Sequence, residues 1–149
     1  MSFAACFLIP IYNHGRSIRV TVERLERYAL PIFVVDDGSD DATRQVLATL
    51  AVDFPRLRLF RLPQNGGKGA AVMRGMREAL AAGFTHALQI DADGQHDTND
   101  VPRFLELGAA NPQELIVLGN GEQNKPYLYV KDLVEGILFV CNNAHDRFN

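Results

Sequence analysis

Residues 86–97 read HALQIDADGQHD, a short apolar run that ends in two carboxylates separated by one small residue. The apolar part predicts a buried strand, and side chains two positions apart on an extended chain point to the same face. Asp91 and Asp93 are therefore expected to lie side by side where the strand ends. Two neighbouring carboxylates repel each other unless a cation lies close to both, and oxygen ligands of this kind suit Mg²⁺ or Mn²⁺.

A second acidic pair, Asp36 and Asp37, follows another apolar run at residues 32–35. Nearly all-apolar strands that alternate with helices predict an α/β fold, a three-layer Rossmann-like arrangement with a mostly parallel sheet covered on both faces. Ligands of such sheets bind at the edge where the carboxyl ends of the strands meet, so both acidic pairs are expected to face one site. Further strands are predicted at residues 4–10, 57–62, 115–118 and 126–130.

Helical patterns and capping residues separate these strands. The predicted helices cover residues 17–28, a segment capped by Asp40, residues 70–82 with Gly83 as the stop, a segment capped by Thr98 or Asn99, and a last one from Asp132.

The composition describes a single globular domain of 149 residues, 47% of them hydrophobic and 22% charged. A formal charge of -3 gives no electrostatic reason to bind nucleic acid or an anionic membrane surface. The chain has two cysteines, Cys6 and Cys141, which indicates reduced thiols rather than a disulfide framework. Reduced thiols are typical of a cytoplasmic protein, which is the location we expect. No apolar stretch approaches the roughly 18 residues that span a bilayer, so no insertion into a membrane is expected.

Other polar residues follow the predicted strands. Asp37 can accept hydrogen bonds from a nucleobase or a ribose, and residues 65–69, NGGKG, place Lys68 at a helix start that favours anions. The glycine spacing and the residue after Lys68 differ from a Walker A loop. Each feature also has a structural interpretation: the acidic turns as helix caps, Lys68 as a solvated side chain, and Tyr12 as a cover over the core.

Four motifs stand in the order and spacing of family-2 glycosyltransferases, and they resemble in particular the dolichyl- and polyprenyl-phosphate sugar transferases: IPIYNHG at 9–15, VVDDGSDD at 34–41, NGGKGAAVMRGM at 65–76 and LQIDADGQHD at 88–97. The resemblance implies a GT-A fold, a UDP- or GDP-sugar donor bound with Mg²⁺ or Mn²⁺, and an acceptor that is a lipid phosphate in part of the family. Carried over by position, it implies a donor site at Pro10, Tyr12, Asp36, Asp37, Lys68 and Asp91, and metal ligands at Asp91, Asp93 and Gln95.

Residues 111–149 resemble a different class, the substrate-binding half of extended short-chain dehydrogenase-type nucleotide-sugar epimerases. We therefore expect two parts, a truncated GT-A-like domain at 1–118 and an epimerase-like strand-helix segment at 119–149. Tyr127 and Lys131 have the spacing of the epimerase catalytic motif but lie outside its usual context. The Gly-x-Gly-x-x-Gly dinucleotide fingerprint is absent from the N-terminal part of the sequence.

Three functions are left open by the sequence. The first is the donor domain of a glycosyltransferase, the second a catalytically incomplete chimera or nucleotide-binding module, and the third an NAD-linked epimerase, which the missing fingerprint disfavours. No catalytic base is assigned, although Asp97 and Asp100 are nearby acids, because a lipid phosphate acceptor is already ionised. A partly completed sheet leaves an edge to cover, and a homodimer through the C-terminal segment is one way to cover it.

Overall fold

The computed structural model describes residues 3–111. Four parallel strands form one sheet in the order β3-β2-β1-β4, which confirms the predicted α/β fold. The strands are β1 (Ala5–Ile11), β2 (Ile32–Asp36), β3 (Leu57–Arg61) and β4 (His86–Gln89). The helices are α1 (Gly15–Glu26), α2 (Asp41–Asp53), α3 (Lys68–Ala81) and α4 (Val101–Ala110), with a short 3₁₀ turn at Thr98–Asp100 before α4.

Strand β1 lies between two neighbours, and all of its residues are buried. Because side chains alternate along a strand, its residues divide between two hydrophobic clusters on opposite faces of the sheet. Phe7, Ile9 and Ile11 pack on the face with residues of α1 and α2, while Cys6 and Leu8 pack on the face with α3. The sheet and the helices on its two faces form the three layers that the apolar strands predict.

Helix α3 packs unusually close to the sheet at Gly75. A Cβ atom at this position would lie 2.1 Å from Leu8 Cδ1 and 3.0 Å from Val35 Cγ2, so any larger side chain would push the helix away. Close packing in the middle of α3 sets the distance of the helix from the sheet, and its first residue, Lys68, lies at the carboxyl edge of the sheet.

Element boundaries differ from the predicted ones by one or two residues in most cases. Strand β4 ends at Gln89, although the Ile90 N–H still donates to the Leu8 carbonyl oxygen at 2.9 Å. Helix α3 begins at Lys68, before the predicted residue 70. No helix within residues 3–111 is both long and apolar enough to cross a membrane. The predicted strands at 115–118 and 126–130, the helix from Asp132, the segment 119–149 and Cys141 lie outside the described residues.

Candidate functional site

A cavity of about 330 Å³ opens at the carboxyl edge of the sheet. All four segments that follow the strands contribute to its wall, as expected for the ligand-binding edge of an open α/β sheet. Six of the residues predicted for the donor and metal sites line this one cavity. The lining consists of Pro10, Ile11, Tyr12, His14, Asp37, Asn65, Gly67, Lys68, Ala71, Asp91, Ala92 and Asp93.

Asp37 lies in the turn after β2, almost completely buried. Its backbone N–H donates to the Ile11 carbonyl oxygen at 2.8 Å, and its Oδ1 accepts the Gly66 N–H at 2.8 Å. Within the described residues Oδ2 has no hydrogen-bond donor, so one oxygen of this carboxylate is left for a ligand in the cavity. The geometry therefore allows Asp37 to accept a hydrogen bond from a nucleobase or a ribose.

Gly38 brings the turns after β2 and β3 into contact. Its φ of +74° lies in the left-handed region, and a Cβ atom there would lie 2.6 Å from both Asn65 N and Gln64 C. Only glycine combines that backbone conformation with so close an approach. The position of Asp37 relative to Gly66 depends on this contact.

Asp36 is completely buried, and it is absent from the cavity wall. Its Oδ1 accepts the Ser39 N–H at 2.9 Å, and its Oδ2 accepts from Arg61 Nε at 2.8 Å. Both oxygens are thus satisfied within this chain, and they join β2 to its own turn and to β3. The predicted role of Asp36 in binding the donor therefore has no support from the geometry.

The loop after β1 is held by the turn after β2. Asn13 has a φ of 56°, which asparagine tolerates better than most residues. Its N–H donates to Ser39 Oγ at 3.0 Å, and its Oδ1 accepts the Asp40 N–H at 2.8 Å. His14 Nδ1 lies 2.7 Å from the Tyr12 carbonyl oxygen. These bonds fix the backbone that carries Tyr12, whose side chain stays exposed at the cavity.

Asp91 lies beside a lysine and a histidine side chain. Lys68 Nζ lies 2.7 Å from Asp91 Oδ1, and His96 Nε2 lies 3.5 Å from Oδ2. Burial by itself raises the pKa of Asp91, but the hydrogen bond and charge of Lys68, with a smaller contribution from His96, outweigh burial and lower the pKa below its ordinary value. This carboxylate is therefore ionised at neutral pH.

Asp93 is exposed on the cavity wall, and its Oδ1 accepts the Gln95 N–H at 3.0 Å. Gly94, with a φ of +76°, makes the turn between them. The Gln95 side chain is exposed and is absent from the cavity wall. Its predicted role as a third metal ligand is therefore not supported by its position.

Helix α1 holds the acidic turn from outside the sheet, by contacts that the sequence analysis missed. Thr21 Oγ1 donates to the Ala92 carbonyl oxygen at 3.4 Å, and Arg24 Nη1 donates to the Gly94 carbonyl oxygen at 3.3 Å. Arg27 and Tyr28 extend the contact to the 3₁₀ turn, where they donate to Thr98 and Asn99. Helical spacing alone predicts that Thr21 and Arg24 share a face of α1, but not which segment that face contacts.

A divalent cation fits the two carboxylates, although they do not enclose it. Within residues 3–111 no three His, Cys, Asp or Glu side chains gather closely enough to hold a metal ion. Mg²⁺ and similar ions commonly take only one or two carboxylates from the protein and the other ligands from substrate phosphate and water. Asp91 and Asp93 supply ligands of that kind on the wall of one open cavity.

The chain is similar in sequence to known glycosyltransferases. The sequence model of "Glycosyl transferase family 2" matches residues 6–129. The undecaprenyl-phosphate mannosyltransferase of Micrococcus luteus is 34% identical over 113 residues, which are 74% of this chain and 45% of the relative. The polyprenol monophosphomannose synthase of Mycolicibacterium smegmatis is 34% identical over 149 residues, 95% of this chain and 54% of the relative. The chain thus spans about half the length of these curated relatives.

A solved structure shares the fold. It is the mannosyltransferase PcManGT from Pyrobaculum calidifontis in complex with GDP-Man and Mn²⁺, with a TM-score of 0.58, 23% identity, and coverage of 68% of this chain and 31% of that one. This likeness confirms the predicted GT-A fold.

The epimerase-like segment predicted at 119–149 is not supported by the comparisons. The family match continues to residue 129, past the predicted boundary at 118, and the alignment with the Mycolicibacterium smegmatis synthase covers 95% of the chain. The resemblance to epimerases rested on a short stretch of 39 residues, 111–149, in which few positions carry specific chemistry. By the match over most of its length, the chain belongs to glycosyl transferase family 2.

Proposed function

We propose that the cavity binds a nucleotide-diphosphate sugar together with Mg²⁺ or Mn²⁺, as the donor site of an enzyme that transfers the sugar to a polyprenyl-phosphate-type acceptor. The observation that carries this proposal is the composition of one cavity wall, in which Asp37 lies with Asp91, Asp93 and Lys68. A nucleotide-diphosphate sugar needs a hydrogen-bond acceptor for its nucleoside, which Asp37 would supply. It also needs positive charge for its diphosphate, which Lys68 and a cation held by Asp91 and Asp93 would supply.

The nucleoside would lie against the residues after β1 and β2. Pro10 and Tyr12 offer apolar surface to a base, and Asp37 Oδ2 is placed to accept a hydrogen bond from a base or ribose. The acceptor oxygen of Asp37 suits the N–H groups of uracil and of guanine alike, so both UDP- and GDP-sugars remain in the proposal.

The diphosphate would lie between Lys68, at the start of α3, and the acidic turn after β4. Backbone N–H groups at a helix start favour anions, and Lys68 adds a full positive charge. A divalent cation held by Asp91 and Asp93 supplies Lewis-acid stabilisation of the negative charge that develops on the diphosphate as its bond to the sugar breaks.

The names of the relatives support the acceptor class. Undecaprenyl phosphate and polyprenol stand in the names of the Micrococcus and Mycolicibacterium proteins, and both names specify mannose. A dolichyl-phosphate β-glucosyltransferase of Trichomonas vaginalis, 37% identical over 112 residues, also matches, so the relatives do not agree on the sugar. A phosphate acceptor is ionised at neutral pH and can attack without a protein base, and for this reason we assign no catalytic base.

A second candidate is donor binding without turnover. It is favoured by the described cavity wall, where every residue with an assigned role would bind the donor or its cation and none is assigned to the acceptor. Both candidates predict the same donor site, and they differ only in whether sugar reaches an acceptor.

Isothermal titration calorimetry with GDP, UDP, GDP-mannose and UDP-glucose, each with and without MnCl₂, tests the donor site. We expect at least one nucleotide to bind about tenfold more tightly with Mn²⁺, and this gain to disappear in Asp91→Asn. Asp41→Asn is the matched control, because Asp41 is an aspartate of α2 with a highly exposed side chain and no place in the cavity wall. A lack of metal-dependent binding with every nucleotide would refute the proposal.

The two candidates are separated by incubating the protein and Mn²⁺ with a radiolabelled donor and undecaprenyl phosphate. Labelled lipid extracted into organic solvent indicates transfer. Metal-dependent donor binding without labelled lipid leaves the binding function and excludes turnover by this chain with that acceptor.

A further inference from the structure

We infer that Lys68 is a displaceable counter-ion of Asp91: its ammonium occupies the carboxylate until a divalent cation and a diphosphate bind, and it then pairs with the diphosphate. This inference rests on the proposed function of the cavity and adds a coupling between its two ligands. It concerns the order and strength of binding, which the donor-site proposal leaves open.

The first reason for this inference is that Asp91 Oδ1 already accepts two hydrogen bonds. Lys68 Nζ donates to this oxygen at 2.7 Å, and Gln89 Nε2 donates to it at 3.3 Å. A carboxylate oxygen has about two lone-pair sites, so Oδ1 is already fully used. The other oxygen, Oδ2, has His96 Nε2 at 3.5 Å. A cation that binds Asp91 through Oδ1 must therefore replace Lys68 or Gln89, and one that binds through Oδ2 lies close to the Lys68 ammonium on the same carboxylate.

The second reason is electrostatic repulsion between the Lys68 ammonium and a divalent cation. An ammonium and a divalent cation on the same carboxylate repel each other at a distance of a few ångströms, well within the screening length of ordinary salt concentrations. The unliganded chain therefore binds a free cation more weakly than two unpartnered carboxylates would. The same repulsion favours the departure of Lys68 once a cation has bound.

The third reason is that Lys68 is exposed and lies on the cavity wall. Its side chain is 58% exposed, and among the described residues Asp91 is its one ion-pair partner, so the ammonium can leave at little cost. Lys68 and the preceding Gly67 both line the cavity, where the diphosphate would lie. Because diphosphate attracts the group that the cation must displace, each ligand should strengthen the binding of the other by the same factor.

The experiment measures binding of Mn²⁺ alone, GDP or UDP alone, and both together, with the wild-type chain and with Lys68→Met. Methionine keeps most of the length of lysine without its charge. Free Mn²⁺ is quantified by electron paramagnetic resonance, and nucleotide binding by calorimetry. For Lys68→Met we expect Mn²⁺ alone to bind about fivefold more tightly, the metal-free nucleotide to bind about fivefold more weakly, and the coupling factor to fall towards one.

Arg74→Met is the matched control. Arg74 lies on the same helix and is paired with Glu78, away from the cavity wall, so its replacement removes one positive charge without freeing Asp91. A general effect of net charge would raise Mn²⁺ affinity equally in both variants, whereas displacement requires the increase only in Lys68→Met. Lys68→Gln, a second neutral variant at this exposed position, should repeat the result.

Unchanged or weaker Mn²⁺ binding by Lys68→Met, with cooperative binding in the wild-type chain, overturns the counter-ion role and leaves the donor site intact. Equal gains in Lys68→Met and Arg74→Met also overturn it. If neither the wild-type chain nor Lys68→Met binds Mn²⁺ or any nucleotide, both proposals fail. The two failures are thus distinct.

Discussion

The turn after β2 and the turn after β4 both carry two aspartates, but the chain holds the two pairs by different bonds. In the first turn, the oxygens of Asp36 accept from the Ser39 N–H and from Arg61, and Asp37 accepts the Gly66 N–H. Both aspartates are almost completely buried. Most of this turn's carboxylate oxygens serve the fold, and one of them remains for a ligand.

In the second turn, the partners are charged or exposed. Asp91 is paired with Lys68 and lies near His96, and Asp93 is exposed with a single bond to the Gln95 N–H. The Lys68 ammonium can be replaced at Asp91 by a metal ion, whereas the backbone N–H groups of Ser39 and Gly66 cannot leave Asp36 and Asp37 without distortion of the folded turns. The first turn is therefore built as a rigid acceptor, and the second as a site whose partners exchange.

The largest loss of stability is expected at Gly38, in the turn after β2, because a side chain there would have no space. Gly38→Ala places a Cβ 2.6 Å from the backbone of residues 64 and 65 and requires a left-handed conformation. We expect a loss of about 3 kcal/mol in the free energy of unfolding, measured by urea denaturation, because strain and overpacking add.

Gly83→Ala is the matched control for the strain alone. Gly83 has a φ of +87°, and a Cβ there would meet no atom within 4 Å. It should lose only about 1 kcal/mol. Equal losses in the two variants would show that the contact between the turns after β2 and β3 contributes nothing.

The next largest loss of stability is expected for the buried carboxylate of Asp36. Asp36→Ala leaves the Ser39 N–H without its acceptor and Arg61 without its partner, and we expect a loss of about 2 kcal/mol in the free energy of unfolding. Asp41→Ala is the control, since Asp41 also pairs with an arginine but its side chain is 90% exposed. The free energy of unfolding of this variant should hardly change. If Asp91→Ala were as destabilising as Asp36→Ala, the contrast between the two turns would be wrong.

The layers, the parallel sheet and the meeting of the acidic turns could be predicted from the sequence. Apolar runs of four to seven residues identify strands by local composition, and the rule that carboxyl ends share one edge then brings Asp37 and Asp91 to one cavity. Neither step requires knowledge of a contact between distant residues.

The division of roles within each acidic pair could not be predicted. Asp36 and Asp37 are adjacent and chemically identical, and what separates them is Arg61, which reaches Asp36 from the neighbouring strand β3. The contacts of α1 with the acidic turn join residues about 70 positions apart, such as Thr21 and Ala92. The family resemblance likewise implies Gln95 as a ligand, but Gln95 is absent from the cavity wall.

The smallest expected effect tests whether α1 positions the exchangeable turn. Thr21 is buried, and its hydroxyl donates to the Ala92 carbonyl oxygen between the two aspartates. Thr21→Val keeps the shape and removes the donor. The bond is long, at 3.4 Å, so we expect Mn²⁺ affinity in the presence of GDP or UDP to fall only about threefold.

Thr21→Ser restores the hydroxyl and should restore the affinity, while Thr49→Val makes the same substitution on α2, where the hydroxyl bonds only the Gln45 carbonyl oxygen of its own helix. Metal-free nucleotide affinity should be equal in all three variants, because Asp37 is held by other bonds. An equal fall in affinity with and without Mn²⁺ would mean that Thr21 supports the whole fold. A fall in affinity confined to Mn²⁺ would show that α1 sets the spacing of the Asp91 and Asp93 carboxylates. In the turn after β2, by contrast, backbone N–H groups hold Asp36 and Asp37.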